Sequence, residues 1–361
     1  MGDWMKGLGG FILTMFLAVT PLGLAQGATV AQSGAGAEPQ TGAAATPPAS
    51  IENAKALAAK GSLDQALAEL NALAKIEREE AGVERLRGTI LYQKEQLREA
   101  DAAFARAISQ DAQDRESMEM RGITLYRLGR PVDAIPFLEK ADTEATGANA
   151  DPHYVLGLCY TDAKRYDDAR RAFAAQFGFA TDSAEAYLVT ARLFLRRDFA
   201  DVAASFVHKA LELNPVLPLA HQLLGEIALA KGDLPLAVKE LEAEQKLNPL
   251  DGPMYDRLGD AYVRSGQFEK ARQALNKAVL LEPNATGPYI LLGEALIGLN
   301  QPIQAVHYLD RAATMDPGNY ITHNFLGQAY RALGRTADSV REFKLSVKIQ
   351  HQNDPKPVQE K

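Results

Sequence analysis

The sequence has little cysteine, few aromatic residues and no surplus of basic residues. Its 361 residues include one cysteine, Cys159, which excludes an intramolecular disulfide framework and a cysteine-rich zinc or iron–sulfur site. Lysine and arginine total 39 against 46 aspartate and glutamate, and the net charge of −7 argues against a nucleic-acid-binding protein, whose surface should be basic. Hydrophobic residues make up 47% of the chain, enough for a large core.

Residues 1–25 have the layout of a secretory signal peptide. Residues 8–24 form an uncharged apolar stretch after Lys6, and Gly23 and Ala25 are small residues at positions −3 and −1 of a cleavage site. The alternative is an uncleaved membrane anchor, although this stretch is at the short limit for a membrane span. We therefore expect an exported protein that is periplasmic or extracellular, or that stays anchored to the membrane by this segment.

Two further segments lack the side chains that a folded core requires. Residues 26–50 consist almost entirely of Ala, Gly, Pro, Ser, Thr and Gln, so they cannot bury enough apolar surface to offset the entropy of ordering. We expect a disordered linker there, acting as a tether or a mere spacer. The polar residues 351–361, with two prolines, predict a disordered tail.

Residues 51–350 repeat with a period of 34 residues. Prolines and glycines both keep this step: Pro215, Pro249, Pro283 and Pro317, and Gly225, Gly259, Gly293 and Gly327. With the glycine counted as position 8, the phase gives eight clear repeats and a degenerate first one at 47–80. The clear repeats are 81–114, 115–148, 150–183, 184–217, 218–251, 252–285, 286–319 and 320–353.

The apolar spacing inside each repeat predicts two helices joined by a short turn. In repeat 252–285, Tyr255 and Tyr262 lie seven residues apart on one face of a first helix. Gly266 then breaks that helix, and Pro283 ends the second, because the residue before a proline avoids the α region.

This pattern resembles the tetratricopeptide repeat (TPR), whose signature is W-x2-L-G-x2-Y, then A-x3-F and a terminal P. The residues at those places in repeat 252–285 are Tyr255, Leu258, Gly259, Tyr262, Ala271, Leu275 and Pro283. The resemblance implies an all-α, right-handed TPR solenoid of about nine helix-turn-helix repeats. It also implies a concave groove faced by positions 2, 5, 9 and 12 of the first helices.

The groove positions of the later repeats carry the candidate binding residues. These are Arg192, Gln222, Glu226, Asp256, Asp260, Glu294, Asn324, Gln328 and Arg331. They predict an acidic stretch from Glu226 to Glu294 followed by an amide-rich pocket, which would bind a partner segment that carries Lys or Arg. The alternative is a solvated polar face with local salt bridges, for example to Arg257 or Arg264.

No pattern indicates an enzyme, a cofactor or a metal site. His153, His221 and His323 occupy position 4 of separate repeats, and His153 and His221 should lie roughly 20 Å or more apart at the usual spacing of packed helices. Zinc ligands must lie about 2 Å from one ion, so we expect packed or half-buried histidines instead. We also expect Cys159 to be a buried filler. Outside the repeats, no stretch is left for a catalytic domain.

The charged residues of the last helix predict a solvated end cap. They are Asp338, Arg341, Glu342, Lys344 and Lys348.

The sequence thus predicts a non-enzymatic scaffold that binds a protein or peptide, with no nucleic acid and with membrane contact only through an uncleaved leader. By resemblance to exported bacterial TPR proteins, envelope assembly, secretion or export is the expected setting. A self-assembling structural module and an accessory subunit of a membrane-bound enzyme are the alternatives.

Overall fold

The computed structural model describes residues 49–73, 82–142 and 152–353. The expected signal peptide, the linker up to residue 48 and the tail from residue 354 lie outside the described residues. The described residues contain eighteen α-helices and no strand. The chain divides into two compact units, Met1–Phe177 and Gly178–Lys361.

The described residues of unit 1 contain four helix pairs. They are α1 (Ile51–Ala59) with α2 (Leu63–Leu73), α3 (Val83–Gln93) with α4 (Leu97–Gln110), α5 (Arg115–Arg127) with α6 (Pro131–Asp142), and α7 (Pro152–Asp162) with α8 (Tyr166–Phe177).

Unit 2 contains five pairs. They are α9 (Ala184–Arg196) with α10 (Ala200–Leu213), α11 (Ala220–Lys231) with α12 (Leu234–Leu247), α13 (Gly252–Arg264) with α14 (Phe268–Leu281), α15 (Thr286–Gly298) with α16 (Pro302–Met315), and α17 (Tyr320–Ala332) with α18 (Thr336–Asn353). Each predicted repeat holds one pair, so the all-α repeat solenoid is confirmed.

The degenerate first repeat also forms a helix pair, with Ala54, Ala66 and Leu70 fully buried between its helices. The first helix begins at the expected boundary, Ile51, and the last helix runs past the expected one. The Ser50 hydroxyl, at the end of the expected linker, accepts a hydrogen bond from the Asn53 amide and caps α1. At the other end α18 continues to Asn353, three residues into the expected tail.

The recurrent glycine at position 8 marks a close crossing of the two helices in a repeat. A Cβ added to Gly259 would lie 2.4 Å from Leu275 Cδ2, and one added to Gly293 would lie 2.4 Å from Leu309 Cγ. Glycine inside a helix costs about 1 kcal/mol relative to alanine. This packing against the second helix is the reason that the repeat retains it.

A left-handed residue ends the first helix of every repeat, at position 15. In five repeats it is a glycine, such as Gly266 with φ of 69°. In the other four it is Glu95, Lys164, Asp198 or Asn300, with φ between 56° and 64°. The turn geometry is therefore kept even where the sequence shows no glycine.

The repeat-terminal prolines stop the second helices and also accept a hydrogen bond from the next repeat. The Tyr255 hydroxyl donates to the Pro249 carbonyl at 3.2 Å, and the Tyr289 hydroxyl donates to the Pro283 carbonyl at 3.2 Å. His323 Nε2 lies 3.2 Å from the Pro317 carbonyl in the same way. Position 4 of these three repeats thus holds a large side chain with a polar tip.

The last repeat has polar residues where the preceding repeat has an apolar cluster. In repeat 286–319, Tyr289, Ile290 and Ala312 form a buried cluster against Phe325 of the next helix. The equivalents 34 residues later are His323, Asn324 and Ser346. The end of the array is therefore polar, as a terminal repeat requires.

The predicted solvated position of Glu342 is wrong. Glu342 is 8% exposed, and its Oε2 lies 2.9 Å from His323 Nδ1. Of the other charged residues of α18 that we expected at the cap, Arg341, Lys344 and Lys348 are exposed, whereas the Asp338 side chain is half-buried at 23% exposure.

Candidate functional site

The first helices of unit 2 pack side by side, and positions 5, 9 and 12 of α9, α11, α13, α15 and α17 form what we call the first-helix wall. All nine candidate residues lie on these five helices. Arg192 is on α9, Gln222 and Glu226 are on α11, Asp256 and Asp260 are on α13, Glu294 is on α15, and Asn324, Gln328 and Arg331 are on α17.

Two arginines of α13 partly neutralise the acidic stretch. Arg257 Nη1 donates to Asp256 Oδ2 at 3.0 Å, and its Nε lies 3.8 Å from Glu226 Oε1. Arg264 Nη1 lies 3.6 Å from Asp260 Oδ2 and donates to the Leu229 carbonyl at 3.3 Å. The local salt bridges that the sequence left as an alternative therefore exist, and they lie at the α11–α13 side of the wall.

Glu294 differs from the other carboxylates of the wall. It is half-buried, and no Lys, Arg or His of the described ranges lies within salt-bridge distance of it. Burial raises the pKa of the Glu294 carboxyl, and the nearby charge of Asp260 raises it further. The negative charge of the wall is thus least compensated between Asp260 and Glu294.

The ionised form of Asp256 is also unfavourable in the folded protein. Burial raises the pKa of its carboxyl, and the effect of Arg257, which lowers it, is opposed by the charges of Asp260 and Glu282. Its Oδ1 is buried and accepts no hydrogen bond from any described residue. A carboxylate with a buried, unbonded oxygen is costly for the folded protein, which is typical of a binding position.

Gln222 is less accessible than its position predicts. It is 5% exposed, its Nε2 donates to Glu226 Oε1 at 3.0 Å, and its Oε1 is buried without a partner in the part of the chain described. Gln222 therefore orients Glu226 rather than presenting itself on the wall.

The amide-rich end has the predicted arrangement on α17. Gln328 Nε2 donates to Asn324 Oδ1 at 2.7 Å, so the two amides form one bonded pair. Arg331 follows on the same helix, with its guanidinium 5.8 Å from the centre of the Phe343 ring. Arg192 lies on α9, four repeats before α17, and is half-buried.

An apolar row runs beside the charged one. Position 12 holds Leu229, Val263 and Ile297 in three successive repeats, and Leu229 and Val263 are each 7% exposed. The wall therefore carries carboxylates along position 9 and aliphatic side chains one helical turn away, and Ile297 is the most exposed of these three.

Arg257, which the salt-bridge alternative named, stands at position 6, outside the expected groove positions, and reaches the wall through its long side chain. The pairing of position 4 with position 23 was not predicted: His221 Nδ1 lies 2.7 Å from Glu240 Oε2, as His323 pairs with Glu342. The signal was present, since both histidines have a glutamate nineteen residues later.

The histidines and the cysteine have the predicted packing roles. His323 is 6% exposed, His153 and His221 are half-buried, and Cys159 is fully buried. In the part of the chain that the structure describes, no group of three His, Cys, Asp or Glu side chains is placed to hold a metal ion. None of the described helices is both long and apolar enough to cross a membrane.

Three family models of the tetratricopeptide repeat match the chain. The first matches residues 85–150, 188–251 and 290–355, the second matches 125–193 and the third matches 254–285. A comparison with curated proteins finds no match.

Several solved structures are similar. MamA (41-end) from Desulfovibrio magneticus RS-1 has 22% identity and a TM-score of 0.45, covering 48% of this chain and 98% of that one. YrrB, a TPR protein with an unusual peptide-binding site, has 21% identity and a TM-score of 0.46, covering 52% and 95%. The APC/C hetero-tetramer Cut9-Hcn1 has 17% identity and a TM-score of 0.42, covering 77% and 54%.

Proposed function

Because this chain belongs to the tetratricopeptide repeat family, whose stacked repeats present extended binding surfaces, we propose that it is a protein-interaction scaffold. Its ligand is a segment of a partner protein that lies along the first-helix wall of unit 2. That segment carries Lys or Arg opposite Asp260 and Glu294 and apolar side chains opposite Val263 and Ile297.

The observation that carries this proposal is that Glu294 is half-buried with no Lys, Arg or His of the described ranges within salt-bridge distance. Burial and repulsion by Asp260 raise the pKa of the Asp256 and Glu294 carboxyl groups, so keeping both ionised costs the folded protein stability. A lysine or arginine brought between Asp260 and Glu294 would relieve this cost. The Asn324–Gln328 amide pair can then bond to backbone groups of the same segment.

The test is the affinity of a defined basic peptide. We expect the full chain to bind a labelled peptide of alternating lysine and leucine, and the variant Asp256→Ala/Asp260→Ala/Glu294→Ala to bind it at least tenfold more weakly. Binding should also weaken as salt is raised. Fluorescence anisotropy titration measures both effects.

A matched control removes acidic residues elsewhere. Glu52 and Glu99 are exposed on unit 1, and Glu52→Ala/Glu99→Ala should bind the peptide like the wild type. Equal affinity of the wild type and the triple variant, at equal melting temperature, would show that the wall is not the binding surface. If the wild type binds the peptide and the triple variant does not, capture of partners from a cell-envelope extract with the same variants would identify the pathway.

We also propose that the scaffold acts outside the cytoplasm, in envelope assembly, secretion or export. The support is the sequence of residues 8–25 alone, an apolar stretch followed by small residues at a cleavage site. Intact-mass analysis of protein recovered from its host should show a chain that begins at Gln26. A full-length mass in the membrane fraction would indicate an anchor, and a full-length soluble protein would contradict export.

A further inference from the structure

A crevice on the second-helix side of unit 2 plays no part in the proposed function. Its volume is about 270 Å³, and it lies between α12 and α14 above α13. The residues that define it are Gln245, Leu258, Tyr262, Lys270, Ala274 and Lys277. Leu258 and Tyr262 stand two residues after Asp256 and Asp260, about 200° around α13, so the crevice and the first-helix wall use opposite faces of that helix.

Ala274, at position 23 of this repeat, lines the crevice. The same position holds Phe137, Phe206 or Tyr308 in other repeats. Repeat 150–183, with Ala172 at position 23, has a corresponding cavity of about 170 Å³. Alanine at this position does not by itself make a cavity, since Ala103 of repeat 81–114 is fully buried.

The charged lining of the unit 2 crevice is positive and held in place. The Lys277 Nζ lies 4.9 Å from the centre of the Tyr255 ring and donates to the Tyr255 hydroxyl at 3.2 Å. The Lys270 Nζ lies 5.3 Å from the centre of the Tyr262 ring and 3.9 Å from Glu242 Oε1. No carboxylate of residues 49–73, 82–142 or 152–353 forms a salt bridge with Lys277.

The corresponding cavity of unit 1 is different in this respect. Asp168 on its rim accepts hydrogen bonds from Arg165 Nε at 2.6 Å and from the Arg171 guanidinium. The pKa of Asp168 is lowered because these two hydrogen bonds and charges outweigh the effect of burial. On the rim of the unit 2 crevice Lys270 lies near Glu242, but Lys277 has no carboxylate partner among the described residues. Each ammonium group has three donors, so both lysines keep donors available.

We propose that the crevice binds a carboxylate side chain from an acidic segment of a partner protein. The aliphatic carbons of an Asp or Glu residue contact the apolar floor formed by Leu258 and Ala274, and the carboxylate accepts hydrogen bonds from Lys270 and Lys277. Small-molecule sites usually enclose about 300–1,000 Å³, so this smaller cavity suits one side chain or a chain end. Unit 2 would then hold a basic segment on one face and an acidic one on the other.

The test uses three labelled peptides and the full chain. The first alternates leucine and glutamate and has an amidated C-terminus, the second replaces glutamate by glutamine, and the third is the glutamine peptide with a free C-terminal carboxylate. We expect the glutamate peptide to bind the wild type and the neutral peptide not to bind. Binding of the third peptide in place of the first would assign the crevice to a chain terminus and overturn the side-chain proposal.

Two variants and a control locate the binding. Lys270→Gln/Lys277→Gln should weaken glutamate-peptide binding at least tenfold, and Ala274→Phe, which copies the residue at Phe137 and Phe206, should abolish it. Lys344→Gln/Lys348→Gln removes the same charge from exposed positions and should change nothing.

Wild-type protein that does not bind the glutamate peptide at about 1 mM would overturn the proposal. Undiminished binding by Lys270→Gln/Lys277→Gln would also overturn the proposal. If Ala274→Phe proves unstable, the lysine variant alone is a sufficient test. Glu294→Gln should leave this binding intact. The outcome is therefore independent of whether the first-helix wall binds a basic segment.

Discussion

Replacing Asp256 by Asn and Glu294 by Gln is expected to stabilise the protein at neutral pH while it weakens binding of a basic peptide at least tenfold. Both carboxyl groups have a raised pKa in the folded state because burial disfavours their charge. The amides keep the shape and remove that charge. We expect a gain of about 1 kcal/mol in the free energy of unfolding, or a rise of about 2–4 °C in melting temperature.

The pH dependence follows from the direction of the shifts. A carboxyl group whose folded-state pKa lies above its unfolded value costs stability as pH rises from the ordinary carboxyl pKa through the raised one. The amide variant should therefore match the wild type below about pH 4 and exceed it at pH 7. Thermal melts across this range measure the difference.

The control is Glu52→Gln/Glu99→Gln, which makes the same change of net charge at exposed positions of unit 1. It should alter neither the melting temperature nor the peptide affinity. A wall variant that is less stable than the wild type at pH 7 would contradict the strain inferred for Asp256 and Glu294. Lower binding with higher stability would show that the two carboxylates serve the ligand and not the fold.

Replacing His323 by Ala is expected to lower the free energy of unfolding by about 3 kcal/mol. The change leaves Glu342 buried at 8% exposure without its imidazole partner and removes the group that meets the Pro317 carbonyl. Only the contact of Glu342 Oε1 with Arg341 Nε, at 3.1 Å, remains. Urea denaturation followed by circular dichroism gives the difference.

His221→Ala is the matched control for this effect. The His221 side chain is 23% exposed, so water can reach Glu240 when the ring is removed, and a smaller loss is expected. Equal losses of unfolding free energy in His221→Ala and His323→Ala would mean that burial of the histidine–glutamate pair does not determine its contribution to stability.

A double substitution tests two effects of the His323–Glu342 pair separately, its contribution to stability and its effect on association through the last repeat. His323→Tyr/Glu342→Tyr copies the Tyr289–Tyr308 pair of the preceding repeat, whose ring centres lie 6.3 Å apart. It should recover most of the lost stability but present an apolar surface of the kind that Phe325 covers one repeat earlier. Sedimentation should then show concentration-dependent association that is absent from the wild type. A double variant as unstable as His323→Ala would contradict the equivalence of the two repeats.

The period of 34 residues was sufficient to predict the nine helix pairs, because the glycine at position 8 and the terminal proline both have direct geometric roles. The left-handed turn at Glu95, Lys164, Asp198 and Asn300 could not be predicted residue by residue, since nothing about these side chains requires positive φ. There the packing of two helices imposes the turn.

The candidate site was predicted less completely than the fold. Positions 5, 9 and 12 place the candidate side chains on the first helices, but the sequence left open whether Arg257 pairs with the acidic stretch and did not predict that Gln222 is buried. Both facts depend on how neighbouring helices approach. The crevice at Ala274 depends in the same way on the space left between two packed helices, which the sequence of either helix does not show.

The polar surface of the last repeat has a consequence for how such an array can change in length. A copy of repeat 286–319 inserted next to itself would lay its apolar position 6 on the Tyr289–Tyr308 surface, as Phe325 does now. The same copy added after Asn353 would meet His323 and Asn324, which hold the places of Tyr289 and Ile290 and provide no comparable apolar surface. Insertion of a repeat in the interior therefore preserves the apolar contact between neighbouring repeats, whereas addition after Asn353 does not.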